Sequence, residues 1–344
     1  MSPEEEKIFY HAVALGEGGN YAAILRAKKK FLTWKETYEA SGHCHIPDPE
    51  KEYRKIDERH IHLILREDSE FPSLLREIPH PPFALYIRGA LPPRNQMTIA
   101  IVGTRRATPD GKDTARNFAA KLARAGIAVV SGLAFGVDAA AHEGCLDAKG
   151  TTIAVLACGL ANVYRKNNAS LAEKILVQGD AIISEYPPDM PAYPSRFLER
   201  NRIVSGLSKG ILVVEAPERS GSLATARFAL EQNRDVFVVP GPISHPNFRG
   251  SHTLIRQGAT LVTRPEDILE EYDVAPQDTI SKIIDTASPE EKLVLDILQE
   301  TGAPADIDKI ICATRLEPRI VNQTVSALFI KGVIKESGEG YVLN

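Results

Sequence analysis

Five short segments carry the residues most able to do chemistry: GTRR (103–106), SGLAFGVDAAAH (131–142), YRKNNASL (164–171), RNR (200–202) and SGSLATA (220–226). Turns rich in Gly, Ser and Thr that open a helix leave backbone N–H groups and the positive end of the helix dipole facing outward. A nearby arginine adds full charge in a forked geometry. That chemistry is anion binding, and its repetition suits a chain of phosphates better than one nucleotide. Gly103 permits close backbone approach and Arg105 can fork two phosphate oxygens. In the second segment Ser131, Gly132 and Gly136 shape a loop ahead of Asp138. This residue reads as a helix cap or loop brace, because a carboxylate beside phosphates repels them. His142, four residues on, reads as a packing histidine. Arg165 or Lys166 brings charge to the same edge. Arg200 and Arg202 lie two apart in a predicted helix and point in different directions, so one can meet ligand while the other pairs with Glu185, Glu199 or Glu215. Ser220, Gly221, Ser222 and Thr225 open another helix, flanked by Arg219 and Arg227, an anion site by geometry.

Catalytic machinery is not legible. There is no nucleophile with a paired base, no GxSxG elbow, no GxxxxGK[ST] lysine and no metal-ligand spacing, so no catalytic residue, metal or cofactor is expected. GxGxxG is absent, and Ser131 stands where a dinucleotide-binding strand would end in Asp or Glu. Binding is favoured over catalysis.

These segments need a frame that brings them to one edge. From Thr98 apolar runs alternate with helical stretches: TIAIV, helix 109–125, IAVVS, helix 136–149, TTIAVLA, helix 168–178, AIIS, helix 195–206, GILVVEA, helix 222–233, VFVVP and ATLVT. Strands without polar alternation are buried on both faces, and this order predicts a doubly wound parallel sheet with its ligand site at the carboxyl ends of the strands. The sequence predicts a helical domain at 1–46, a linker at 47–60 with a solvated helix after Pro49 as the equal alternative, the α/β domain at 61–272, a linker at 273–288, and at 289–344 three amphipathic helices and a ribbon in the order of a winged helix. The net charge of −4 hides an asymmetry: Met97 to Thr263 holds 19 Lys and Arg against 14 Asp and Glu, so the rest of the chain carries −9. The middle is therefore the candidate polyanion binder. The acidic start MSPEEEK and the lack of any apolar run of about 18 residues predict a cytoplasmic protein. Cys44, Cys145, Cys158 and Cys312 form no CxxC pair and read as buried small hydrophobes.

From Phe71 to Thr263 an ordered series of motifs closely resembles the DNA-processing protein A family (DprA, also called Smf): FPSLLREIPHPPFALYIRG, IAIVGTRRATPDG, VVSGLAFGVDAAAHEGCL, TIAVLACGL, IISEYPP, RFLERNRIVSGLS, VVEAPERSGSLATARFALEQNRDVFVVPGPI and LIRQGATLV. The resemblance implies an extended Rossmann-like domain that binds and protects single-stranded DNA and helps load the RecA recombinase on it during natural transformation and recombination, without catalysis. It also implies a sterile-alpha-motif-like (SAM-like) N-terminal domain and, as in many members, a C-terminal winged helix. Carried over by residue, the phosphate site falls on Gly103, Thr104, Arg105, Ser131, Gly132, Gly136, Lys166, Arg200, Asn201, Arg202, Ser220, Gly221, Ser222 and Thr225, with Asp138 bracing the loop. Bases are expected to stack on Phe135, Tyr164 or Phe197, and a homodimer surface is expected near Leu254 and Ile255. The chain departs from the family pattern at Arg165, where Pro usually follows the tyrosine, at Leu198 in FLERNR, and at His252. A rival reading is a nucleoside monophosphate phosphoribohydrolase, whose GTxxE loop aligned on GSLAT puts Thr225 in place of the catalytic glutamate. The winged helix, with six cations against nine acids over 288–344 and only Arg319 as a cation on its predicted recognition helix, is expected to bind protein or the partner subunit rather than duplex DNA.

Overall fold

A computed structural model of the chain describes residues 2–42, 46, 48–165, 168–274, 288–301, 304–337 and 340–343, which fall into two compact units, Met1–Thr263 and Arg264–Asn344. In the first unit the alternating pattern becomes β3 (Thr98–Val102), α6 (Pro109–Arg124), β4 (Ala128–Ser131), α7 (Val137–Asp147), β5 (Thr152–Val155), α8 (Ala169–Val177), β6 (Ala181–Ser184), α9 (Pro194–Gly206), β7 (Gly210–Val213), α10 (Gly221–Glu231), β8 (Asp235–Val238), α11 (Arg249–Arg256) and β9 (Thr260–Leu261). All seven strands run parallel, in the order β6-β5-β4-β3-β7-β8-β9. Successive strand residues serve opposite faces. Ile153 and Val155 join the apolar layer containing Ile203 and Ala226, whereas Ala154 and Leu156 join a layer containing Leu171 and Ile175.

Two further strands are not foreseen from the sequence: β1 (His62–Leu65) and β2 (Ala84–Arg88), with the short α5 (Ser73–Arg76) between them, extend the sheet antiparallel beyond β6 to nine strands. Each is too short to show a sustained period, and prolines flank β2 on both sides. The N-terminal helices α1 (Pro3–Gly16), α2 (Tyr21–Lys28) and α3 (Trp34–Ala40) start at Ser2, Asn20 and Thr33, whose side chains accept from first-turn N–H groups. The stretch expected as a linker holds α4 (Pro49–Asp57), capped by Asp48, with Pro49 at its first turn and Ile56 buried. Its charged side chains face outward while one apolar residue anchors it, which is the solvated-helix alternative. Tyr10, Val13, Ile24, Trp34 and Ile56 share a core with Tyr86 and Ile182, so the helices and the sheet edge bury each other.

Two histidines are sealed inside this unit. His11 shares a 2.8 Å hydrogen bond with the Tyr86 hydroxyl, and His142 one of 2.7 Å with the Thr152 hydroxyl, which itself donates to Val129 O. Burial pushes His11 down to about 4 and His142 to about 3. The unfolded chain takes up protons on both near the ordinary value of about 6.5, and the folded chain does not until those lower values are reached. Stability is therefore full above about pH 6.5 and is lost as pH falls, by up to about 1.4 kcal/mol per pH unit per histidine. Denaturant midpoints measured from pH 7 down to 4.5 should show this decline, and His142→Gln should remove about half of it.

The second unit contains α12 (Pro265–Glu271), α13 (Pro289–Thr301), α14 (Ile307–Thr314), α15 (Pro318–Ile330) and an antiparallel ribbon of β10 (Ile334–Ser337) and β11 (Gly340–Leu343). Val294, Leu298, Ile310, Val321, Val325 and Leu328 form its core, and Ala305 pairs with Tyr341 to tie the start of α14 to the ribbon. Most of the expected linker at 273–288 lies outside the described residues, as does Cys44. Cys145 and Cys158 are buried, but Cys312 is exposed, because it falls on the face of α14 away from Ile310.

Candidate nucleic-acid interface

β3 has β4 on one side and β7 on the other, so the chain's winding reverses there and the carboxyl ends of these strands splay a crevice. The loop after β3 (103–106), the loop after β4 (132–136), α9 and the turn into α10 enclose a cleft of about 320 Å³ in it. The sequence spacing brings Gly103, Thr104, Arg105, Gly132, Asp138, Phe197, Arg200, Asn201, Ser220, Gly221, Ser222 and Thr225 to its walls. Arg106 and Arg219 also line it, both exposed, with Arg105, at its mouth. Arg106 does not stand out in the sequence, where its only signal is adjacency to Arg105.

Arg200 forms the floor and is 4% exposed. Its guanidinium donates to Val155 O at 2.5 Å and to Asn201 Oδ1 at 3.2 Å, and Asn201 Nδ2 donates to Gly221 O at 3.1 Å, joining α9 to the start of α10. Burial lowers the Arg200 affinity for its proton, and the nearby Asp138 carboxylate opposes this. Burial likewise raises the Asp138 carboxyl, and Arg200 opposes this. Asp138 accepts from Gly132 N at 3.1 Å, so its charge is spent on holding the second loop in place. A Cβ at Gly132 would overlap the Arg200 guanidinium, so a side chain on this wall would have to displace it. α10 aims its amino end here without a side-chain cap, since the Ser220 hydroxyl ahead of it instead bonds Ser222 Oγ at 2.7 Å, whereas the first turn of α7 spends Val137 N on Thr104 O at 3.3 Å and Ala139 N on Ala134 O at 3.0 Å. First-turn N–H groups left without a side-chain acceptor are the donors an anion needs.

Beside the cleft lies a largely apolar depression of about 210 Å³ that shares Arg105, Gly132, Ala134 and Phe197 with it and adds Phe135, which is 48% exposed. The Arg105 guanidinium sits 4.7 Å over the Phe197 ring and so spans both hollows.

The other expected site residues lie elsewhere. Ser131 is fully buried and donates to Ile101 O at 2.7 Å, serving the sheet. Gly136 (φ +81) packs against the backbone of Thr104 and Arg105 and supports the loop from beneath. Arg202 is a correction: it is 6% exposed, pairs with Glu185 at 2.5 Å and lies 5.0 Å from the Tyr21 ring, on the face of α9 away from the cleft. Thr225, although on the cleft wall, commits its hydroxyl to Gly221 O at 3.3 Å within its own helix. Leu254 is 7% exposed and belongs to the core, because α11 turns that face to the sheet, and Ile255 packs partly against it. Lys166 lies outside the described residues, and Tyr164 falls in the 3-10 turn Leu160–Arg165.

The loop after β3 also has a hidden support. Glu215, fully buried at the end of β7, accepts from Thr108 N at 3.2 Å, from the Thr108 hydroxyl and from Asn247 Nδ2 at 2.7 Å, while its carbonyl accepts from Thr104 N at 2.8 Å. Glu215→Leu strands these donors, and each buried unsatisfied group costs about 1–3 kcal/mol. Chemical denaturation of the variant should show a loss of roughly 3 kcal/mol.

A family model described as DNA recombination-mediator protein A matches residues 62–273. Protein Smf of Escherichia coli is 43% identical over 261 residues, which is 75% of this chain and 66% of that protein. The chain thus spans just under two thirds of that relative's length. The structure of DNA processing protein A from Streptococcus pneumoniae aligns at TM-score 0.62 and 33% identity, covering 77% of this chain and 93% of that one. DNA processing protein A from Helicobacter pylori, solved for its single-stranded DNA binding mode, aligns at TM-score 0.54 and 30% identity over 62% of this chain and 95% of its own. The family match covers more than half of the residues and contains the sheet and every loop of the cleft: this chain belongs to the DNA recombination-mediator protein A family.

Proposed function

We propose that the chain binds single-stranded DNA with its phosphates in the cleft, protects it, and delivers it to the RecA recombinase in DNA uptake and recombination. The observation that carries this reading is the convergence of Arg105, Arg106, Arg200 and Arg219 with the uncapped amino end of α10 on one crevice at the reversal of the sheet. The H. pylori relative, solved for how it binds single-stranded DNA, supports it. Bases stack in the adjoining depression on Phe135 and Phe197, which gives about 1–3 kcal/mol per base without reading sequence. The protein acts as a cytoplasmic homodimer, for which the exposed edge strand β9 and Ile243, 88% exposed, offer an apolar surface in place of Leu254. The acidic second unit is a winged helix that contacts protein rather than duplex DNA.

Binding rather than catalysis is favoured because, among the described residues lining the cleft, Asp138 is the one carboxylate, and it is committed to Gly132 N. The phosphoribohydrolase reading needs an acid where Thr225 bonds its own helix. Fluorescence anisotropy of labelled single-stranded and duplex oligonucleotides at two salt concentrations tests the proposal. With about four phosphates neutralised, log K should fall with log salt at a slope near −3. Salt-insensitive binding, or none, overturns it.

A further inference from the structure

Helix α9 has two working faces. Phe197, Arg200, Asn201 and Val204, at helical spacing, line the cleft. Arg196, Glu199 and Arg202 turn the other way, toward the N-terminal helices. Arg196 donates to Pro191 O at 2.7 Å and to Gly18 O at 2.6 Å, with its guanidinium 4.5 Å from the Tyr186 ring and 4.8 Å from the Tyr193 ring. The Tyr186 hydroxyl donates to Glu199 Oε2 at 2.9 Å. Arg202, paired with Glu185, stacks on Tyr21, whose ring stacks on Phe83 at 5.3 Å. Gly18 lies in the turn between α1 and α2, where Gly18 and Gly19 take φ +61 and +68, and Tyr21 is the first residue of α2 that this turn delivers. A Cβ at Gly19 would press on Pro187 and Tyr186 at 3.1 and 3.2 Å, so the turn lies tight against the segment leading into α9.

We propose that the α1–α2 turn is a positioning element for the phosphate cleft: by holding Arg196 through Gly18 and Arg202 through Tyr21, it fixes the rotation of α9 and thereby the place of Arg200 and Asn201. A helix is a rigid rod over its 13 residues, and a change in its rotation on one face moves the other. Arg200 has little freedom to compensate, because its guanidinium is wedged between Gly132 and Val155 O. Coupling is reciprocal, so occupancy of the cleft must in turn steady the turn.

This inference rests on the proposed DNA binding, and the test separates the two. Anisotropy titrations compare the intact protein with Tyr21→Ala, Tyr21→Phe and Arg196→Met, none of which touches the cleft. Tyr21→Ala and Arg196→Met should bind single-stranded DNA about tenfold more weakly, with a salt slope shallower by ~0.7, the share of one phosphate contact. Tyr21→Phe keeps the ring and should bind as the unaltered protein does. Unchanged affinity and slope in folded Tyr21→Ala and Arg196→Met overturn the inference and leave DNA binding standing, whereas failure of the unaltered protein to bind overturns the binding itself. Amide hydrogen exchange on the unaltered protein decides the matter where a variant does not fold. Residues 17–24 should gain protection on saturation with an oligothymidylate, and protection confined to the cleft loops overturns the proposal.

Discussion

Arg105→Met should weaken single-strand binding about thirtyfold at low salt, roughly 2 kcal/mol, the worth of a charge-assisted hydrogen bond to a phosphate. The side chain is exposed at the mouth of the cleft and rests on Phe197, so it is already placed over the two hollows that the DNA backbone and a base would occupy. Methionine keeps most of the stem, which separates charge from packing. Because the residue makes no buried contact that the fold depends on, the unfolding midpoint should stay within about 0.5 kcal/mol of the unaltered protein. The diagnostic is the salt dependence: a lost phosphate contact flattens the slope by ~0.7, and affinities of the two proteins converge at high salt. A parallel loss at every salt concentration would mean that Arg105 supports Phe197 rather than a phosphate.

The parallel part of the sheet is legible in the sequence because its strands are continuous apolar runs separated by helical stretches with caps and glycines, and a local period fixes each. Legibility of the cleft follows, since parallel connectivity forces every β-to-helix turn to one edge. Which arginine of RNR faces the ligand is not a local property. Arg200 and Arg202 have similar flanks, and their fates are set by Glu185 and Tyr21 on one side and Gly132 and Val155 on the other, residues from 17 to 181 positions away. Glu215 is hidden for the same reason: an acid ending an apolar strand reads as an exposed partner for cations, and only Thr108 and Asn247, brought in from distant segments, show that it is a buried acceptor. The strands β1 and β2 escape notice because an antiparallel pair of 4 and 5 residues carries too few positions to display a period.

Gly136→Ala should be the most damaging single-methyl change at the site. The residue sits at φ +81 and ψ −123, a region essentially restricted to glycine, and its added Cβ would overlap Thr104 O and the Arg105 carbonyl group. Both neighbours are backbone, so no side-chain rotation relieves the overlap. Either the loop after β3 lifts off the amino end of α7 or the loop after β4 shifts, and each outcome moves Arg105 away from Arg200. Backbone strain and overpacking each cost about 1–3 kcal/mol, so a destabilisation near 3 kcal/mol is expected. Single-strand affinity should fall by at least about tenfold, although no charge is removed. Gly126→Ala provides the control: Gly126 has almost the same φ, +79, but a Cβ there meets nothing within 4 Å. It should cost only the conformational strain of an alanine at positive φ, roughly 1 kcal/mol, and leave binding unchanged. The difference between the two variants isolates the contact between the loop after β3 and α7. Equal effects on stability and binding in both would show that the loop does not depend on it.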